Sequence, residues 1–100
     1  MNNKIKVVVD KDLEDLIPVF MNNRHKELET LKAAVAAADF ERLRQLGHRM
    51  KGVGNSYGFE QISAFGSQIE DGARSGDRAR LDECIAAYAA YLSQVEISYE

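Results

Sequence analysis

Apolar side chains recur every three or four residues along most of this 100-residue chain. One series runs from Leu13 to Val35, and further series begin at Phe40, Ile62 and Leu81. Because this spacing places side chains on one face of an α-helix, each series predicts an amphipathic helix that must bury its apolar face. Four such helices joined by short connections favour an all-α fold, an antiparallel up-down four-helix bundle.

Proline, aspartate and glycine indicate where these helices begin and end. Pro18 is best tolerated in a first turn, which predicts a short helix near residues 10–17 and a long helix over 18–38, although one kinked helix fits equally well. Asp39 is a suitable N-cap for the next helix. The sequence SGD at residues 75–77 indicates a glycine stop followed by the N-cap of the last helix, whose apolar stripe continues to Val95.

Length and composition favour one domain. One hundred residues with 45% hydrophobic content supply a single modest core. Residues 10–97 are therefore assigned to the bundle, and residues 1–9 to an extended or flexible tail that includes the β-prone sequence KIKVVV. The apolar runs are too short to cross a bilayer, no signal-peptide pattern is present, and the single cysteine cannot form an internal disulfide. We therefore expect a cytoplasmic protein without a membrane partner.

The charge distribution singles out one region. A net charge of −3 argues against general affinity for nucleic acid, which would need a basic surface. Residues 42–59 nevertheless contain no acidic residue and carry about +4 by the usual charge assignments. Such a patch can attract a specific anionic partner. It surrounds His48 and consists of Arg42, Arg44, Arg49 and Lys51.

His48 is expected to face water, because the apolar face of its helix points roughly 160° away at about 100° per residue. Lys51 and Gly52 follow one turn later on the same exposed surface. An exposed helical glycine costs about 1 kcal/mol relative to alanine, so it needs a reason. The missing side chain leaves room for another protein to reach the imidazole, and Lys51 can neutralise a phosphoryl group on that ring.

Imidazole suits such a transfer. Near pH 7 an exposed ring is largely neutral and offers a nitrogen lone pair as nucleophile without a separate base. Phosphoryl transfer needs in-line positioning and charge neutralisation, which a partner carrying a carboxylate and Mg²⁺ can complete. The sequence GVGNSYG at residues 52–58 has no preceding strand and no following G-K-[ST], so we expect no ATP site.

The sequence HRMKG at residues 48–52 matches the H-x-x-K-G signature of histidine phosphotransfer (HPt) domains, and the chain resembles this family over about residues 10–95. Gly58 corresponds to the glycine that closes the family's phosphohistidine helix, and Ile69 with Glu70 matches an apolar and acidic pair of the following helix. Met50 and Val53 depart from the family's usual leucine and small residue, and both point to the core.

The resemblance implies a phosphorelay intermediate. His48 would accept a phosphoryl group from the aspartate of a receiver domain, in a response regulator or hybrid histidine kinase, and pass it to another receiver aspartate. Lys51 would stabilise the phosphate and Gly52 would admit the partner. The protein would be a phosphocarrier without ATP-dependent kinase activity, and the receiver would supply Mg²⁺, so no cofactor of its own is expected. Contacts with the partner's acidic rim are predicted for four flanking residues: Arg44, Gln45, Arg49 and Asn55.

Two other functions stay open at this point. A helical adaptor could bind receiver domains or other signalling partners without chemistry, although the presence of His48 speaks against it. A metal-binding bundle is disfavoured because Arg44 and Gly52 occupy the same-face positions where a second ligand would stand, and no metal site is predicted. His25 is expected to be a solvated surface residue, and Cys84 a small core residue.

Overall fold

The computed structural model describes residues 4–100, which contain four α-helices. These are α1 (Ile17–Ala36), α2 (Phe40–Ser56), α3 (Glu60–Ser75) and α4 (Arg78–Gln94). Successive helices pack against one another, and α4 also packs against α1, which closes the bundle. The predicted helical bundle is confirmed, and connections of at most three residues fit the antiparallel up-down order.

The start of α1 differs from the predicted opening helix near residues 10–17. That segment contains only a 3-10 helix at Lys11–Leu13, which Asp10 caps by accepting a hydrogen bond from the backbone of Asp12 at 2.9 Å. Pro18 lies in the first turn of α1, as expected. Leu16, which the spacing placed on the apolar face, is 51% exposed because it precedes the helix.

The predicted N-caps at Asp39 and Asp77 and the predicted glycine stop before Asp77 are confirmed. Asp39 and Asp77 each accept a hydrogen bond, at 3.1 Å, from the backbone N–H three residues further on. Gly76 ends α3 with φ +64°, and Gly58 follows α2 with φ +81°. Both angles lie in the left-handed region that glycine adopts without a steric penalty.

The extended segment near the N-terminus pairs within the chain. Strand β1 (Ile5–Val9) lies parallel to β2 (Val95–Tyr99), with Ile5 opposite Val95. The apolar stripe that continued the last helix to Val95 was misleading, because α4 ends at Gln94. The following sequence VEISY alternates apolar and polar residues with period two, which is typical of a strand with one buried face. Residues 1–3 of the predicted tail lie outside the described residues.

The core lies between the four helices. Its centre consists of side chains with no exposed surface: Leu31, Leu43, Met50, Phe59, Ile62, Ile69, Leu81 and Tyr88. Cys84 is buried in the same core, as predicted. No helix within residues 4–100 has the length and apolar character needed to cross a membrane.

Candidate functional site

His48 lies on the outer side of α2 with 72% of its side chain exposed, so the predicted exposure is confirmed. Lys51 and Gly52 are exposed one turn further along α2. A Cβ built on Gly52 would meet no heavy atom of residues 4–100 within 4 Å. The surface that continues from the imidazole towards the C-terminus of α2 is therefore sterically open at Gly52.

His48 is held by a carboxylate from the neighbouring helix. Its Nδ1 lies 3.1 Å from Glu70 Oε2, and Arg74 Nη2 donates to the same oxygen, also at 3.1 Å. The Glu70 side chain is only 4% exposed, so its carboxylate lies almost buried beneath the ring, where the Arg74 cation offsets its charge. When the Glu70 carboxylate accepts this hydrogen bond, the neutral ring carries its proton on Nδ1, and Nε2 retains its lone pair.

Glu70 reaches the ring because α2 and α3 pack backbone against backbone. A Cβ on Gly47 would lie 2.6 Å from the backbone nitrogen of Glu70, and one on Gly66 would lie 2.5 Å from that of Lys51. Gly54 is equally close to α3. Side chains at these positions would separate the helices. Gly47, Gly54 and Gly66 therefore allow α2 and α3 to pack closely.

The four predicted partner contacts differ in their availability. Gln45, Arg49 and Asn55 are exposed, whereas Arg44 is half-buried and bound to Glu41. Arg44 Nη2 lies 2.6 Å from Glu41 Oε1, and this contact lowers the pKa of the Glu41 carboxyl. A partner that used Arg44 would have to compete with that carboxylate. The stretch without acidic residues, 42–59, begins one residue after Glu41, so the charge pattern of the sequence did not show that this carboxylate binds Arg44.

An apolar groove lies between the start of α1 and the second half of α2. Leu16 and Val19 are 51% and 64% exposed, and with Val53 and Tyr57 they line a space of about 340 Å³. The three-and-four spacing did not indicate this surface, because Val19 lies off the apolar stripe of α1. Large exposed aliphatic side chains next to each other are typical of surfaces that bind another protein.

Other candidate groups lie outside this site. His25 is exposed on α1, as predicted. Burial raises the pKa of the Cys84 thiol to about 11, which keeps it protonated and unreactive at neutral pH. Within residues 4–100, no group of three or more histidine, cysteine, aspartate or glutamate side chains is arranged to hold a metal ion.

The surroundings of His48 suit an imidazole that receives a group from an approaching protein, because one nitrogen is bound from below and the other faces solvent. The family model of the Hpt domain matches residues 15–97, and the chain belongs to this family, as its sequence resemblance predicted. Hpt domains transfer phosphoryl groups through histidine in two-component signalling, work with receiver domains, and are not kinases. Comparisons with curated proteins and with solved structures give no match.

Proposed function

We propose that His48 carries the phosphoryl group, accepting it from the aspartate of one receiver domain and passing it to the aspartate of another. The observation that carries this proposal is the contact between His48 Nδ1 and the nearly buried Glu70 carboxylate. It holds the ring in one orientation and leaves Nε2 as the free nucleophile. Family membership supports the chemistry, and the geometry supports this histidine and this nitrogen.

The transfer step balances without an added base. The Nε2 lone pair attacks the phosphorus of an aspartyl phosphate, an N–P bond forms, and the bond between phosphorus and the aspartate oxygen breaks. The proton on Nδ1 stays in place, and the positive charge that develops on the ring lies 3.1 Å from the Glu70 oxygen. The reverse sequence returns the phosphoryl group to a second aspartate.

The surface around His48 would receive the receiver domain. Lys51 offers its ammonium group to the phosphoryl oxygens, and Gly52 allows the partner's backbone to approach α2. Gln45, Arg49 and Asn55 are exposed and available to an acidic active-site rim. The apolar groove beside α1 would add hydrophobic contact. Mg²⁺ belongs to the receiver in this scheme.

The test is phosphotransfer from a phosphorylated receiver to the wild type, His48→Gln and His25→Gln. The wild type and His25→Gln should acquire acid-labile, base-stable label, and His48→Gln should acquire none. His25 is a matched control because it is also exposed on a helix. Label surviving in His48→Gln would disprove the assignment. Binding of receivers by the wild type without any label would favour the adaptor function instead.

A further inference from the structure

Arg24 is a buried charge that phosphotransfer does not explain. It interrupts the apolar face of α1, and its side chain is only 10% exposed. The guanidinium carbon lies 4.8 Å from the centre of the Phe20 ring, and Nε lies 3.2 Å from Glu27 Oε1. That contact is not a hydrogen bond, and Nε has no hydrogen-bond acceptor within residues 4–100. A buried donor without an acceptor is costly, which calls for a reason.

Glu27 compensates Arg24 only in part. Its carboxylate also accepts a hydrogen bond from the Tyr88 hydroxyl at 3.4 Å, deep between α1 and α4. Burial raises the pKa of the Glu27 carboxyl, and the charges of Arg24 and Arg49 oppose that increase. Arg49 of α2 is therefore close enough to act on the same carboxylate as Arg24 of α1.

These side chains surround an open groove of about 330 Å³ between α1 and α2. Arg24, Lys26, Arg42 and Arg49 contribute four positive charges to its lining, and Glu27 contributes the one carboxylate. Like charges gathered in this way repel one another unless an anion offsets them. The groove lies on the α1 side of α2, whereas His48 contacts Glu70 on the α3 side. The groove and the His48–Glu70 contact therefore lie on different sides of α2, and Arg49, one of the predicted partner contacts, lines the groove.

We propose that this groove binds a phosphate-bearing small molecule. Guanidinium groups are planar forks that match phosphate oxygens with paired hydrogen bonds, and three of them, those of Arg24, Arg42 and Arg49, line this groove. The volume lies at the lower end of the range for small-molecule sites. The lining is predominantly polar and cationic, which suits phosphate groups better than an apolar ligand.

The test is a titration of the ¹⁵N-labelled protein with inorganic phosphate and with pyrophosphate, followed by amide NMR, with sodium chloride at equal ionic strength as the reference. The expected result is saturable shift changes in α1 and α2 around Arg24, Arg42 and Arg49. Arg24→Met and Arg42→Gln should each weaken pyrophosphate binding about tenfold or more, as loss of a charge-assisted hydrogen bond predicts. Arg78→Gln removes an exposed charge on α4, outside the groove, and should change nothing.

Arg42 is exposed, so its replacement keeps the test valid even if Arg24→Met unfolds the protein. Pyrophosphate binding that persists unchanged in Arg42→Gln would overturn the proposal. It would also be overturned if, up to about 10 mM ligand, the chemical shifts changed no more than they do with sodium chloride at equal ionic strength. Shifts centred on His48 and Lys51 would also overturn it, because they would place the anion at the phosphotransfer surface. None of these readouts requires a receiver, so the result is independent of the proposed phosphotransfer.

Discussion

Replacing Glu70 with alanine should slow phosphotransfer without abolishing it. The substitution removes the acceptor of the 3.1 Å hydrogen bond from His48 Nδ1. A hydrogen bond to a charged group contributes about 1.5–3 kcal/mol, but His48 is 72% exposed, so water replaces much of it. About 1 kcal/mol then remains, and this corresponds to about a fivefold change in the ratio of rings with the proton on Nδ1 to rings with the proton on Nε2.

The initial rate of transfer from a phosphorylated receiver should therefore fall by at most about fivefold in Glu70→Ala. Glu70→Gln retains a carbonyl oxygen that can accept from Nδ1, so its loss should be smaller. Imidazole ¹⁵N NMR provides a second readout, because it reports directly which ring nitrogen carries the proton. The proton should reside on Nδ1 in the wild type and be shared between both nitrogens in Glu70→Ala.

Two results would refute this reasoning. Unchanged rate and unchanged ring protonation in Glu70→Ala would show that the carboxylate does not orient the histidine. A loss as complete as that of His48→Gln would show that Glu70 takes part in the reaction itself. Thermal unfolding of each variant separates these outcomes from a loss of fold, and Arg74→Gln controls for the second partner of the carboxylate.

Three further predictions concern packing and buried groups. Gly47→Ala should lower the free energy of unfolding by about 1–3 kcal/mol, because its Cβ would lie 2.6 Å from α3. Gly52→Ala places its Cβ in open space, so it should raise the free energy of unfolding by up to about 1 kcal/mol, yet it should slow transfer. Chemical denaturation and the transfer assay test both variants, and equal stability effects would contradict the packing difference. Burial raises the pKa of Glu27, so the free energy of unfolding of the wild type relative to that of Glu27→Gln should be highest below about pH 4.5 and fall as the pH rises. Denaturation from pH 4 to 8 tests this, and a relative stability that rises with pH would mean that the attraction of Arg24 outweighs burial. Burial raises the pKa of Cys84 to about 11, so its thiol should react with iodoacetamide at pH 8 about a hundredfold more slowly in the folded protein than in the urea-unfolded protein. Similar rates in the two states would contradict the burial of Cys84.

The sequence predicted those features that depend on local spacing. Helical faces placed His48 outside and Met50 inside, and caps such as Asp39 marked helix starts, because both properties are set within a few residues along the chain. The contact between His48 and Glu70 joins residues 22 positions apart in the chain, so no local sequence pattern could predict its geometry. Pairing of β1 with β2 is less local still, and the apolar residue Val95 fits both a helical stripe and a strand.

The glycines near His48 connect packing to chemistry. Helices separated by ordinary side chains lie about 8–10 Å apart, and at that distance a glutamate on α3 would have difficulty reaching the outer face of α2. Gly47 and Gly66 remove the side chains that would keep the backbones apart. The Glu70 carboxylate can therefore lie beneath the ring while remaining almost buried. On this basis a larger residue at Gly66, which is remote in sequence from His48, should impair histidine orientation as Glu70→Ala does.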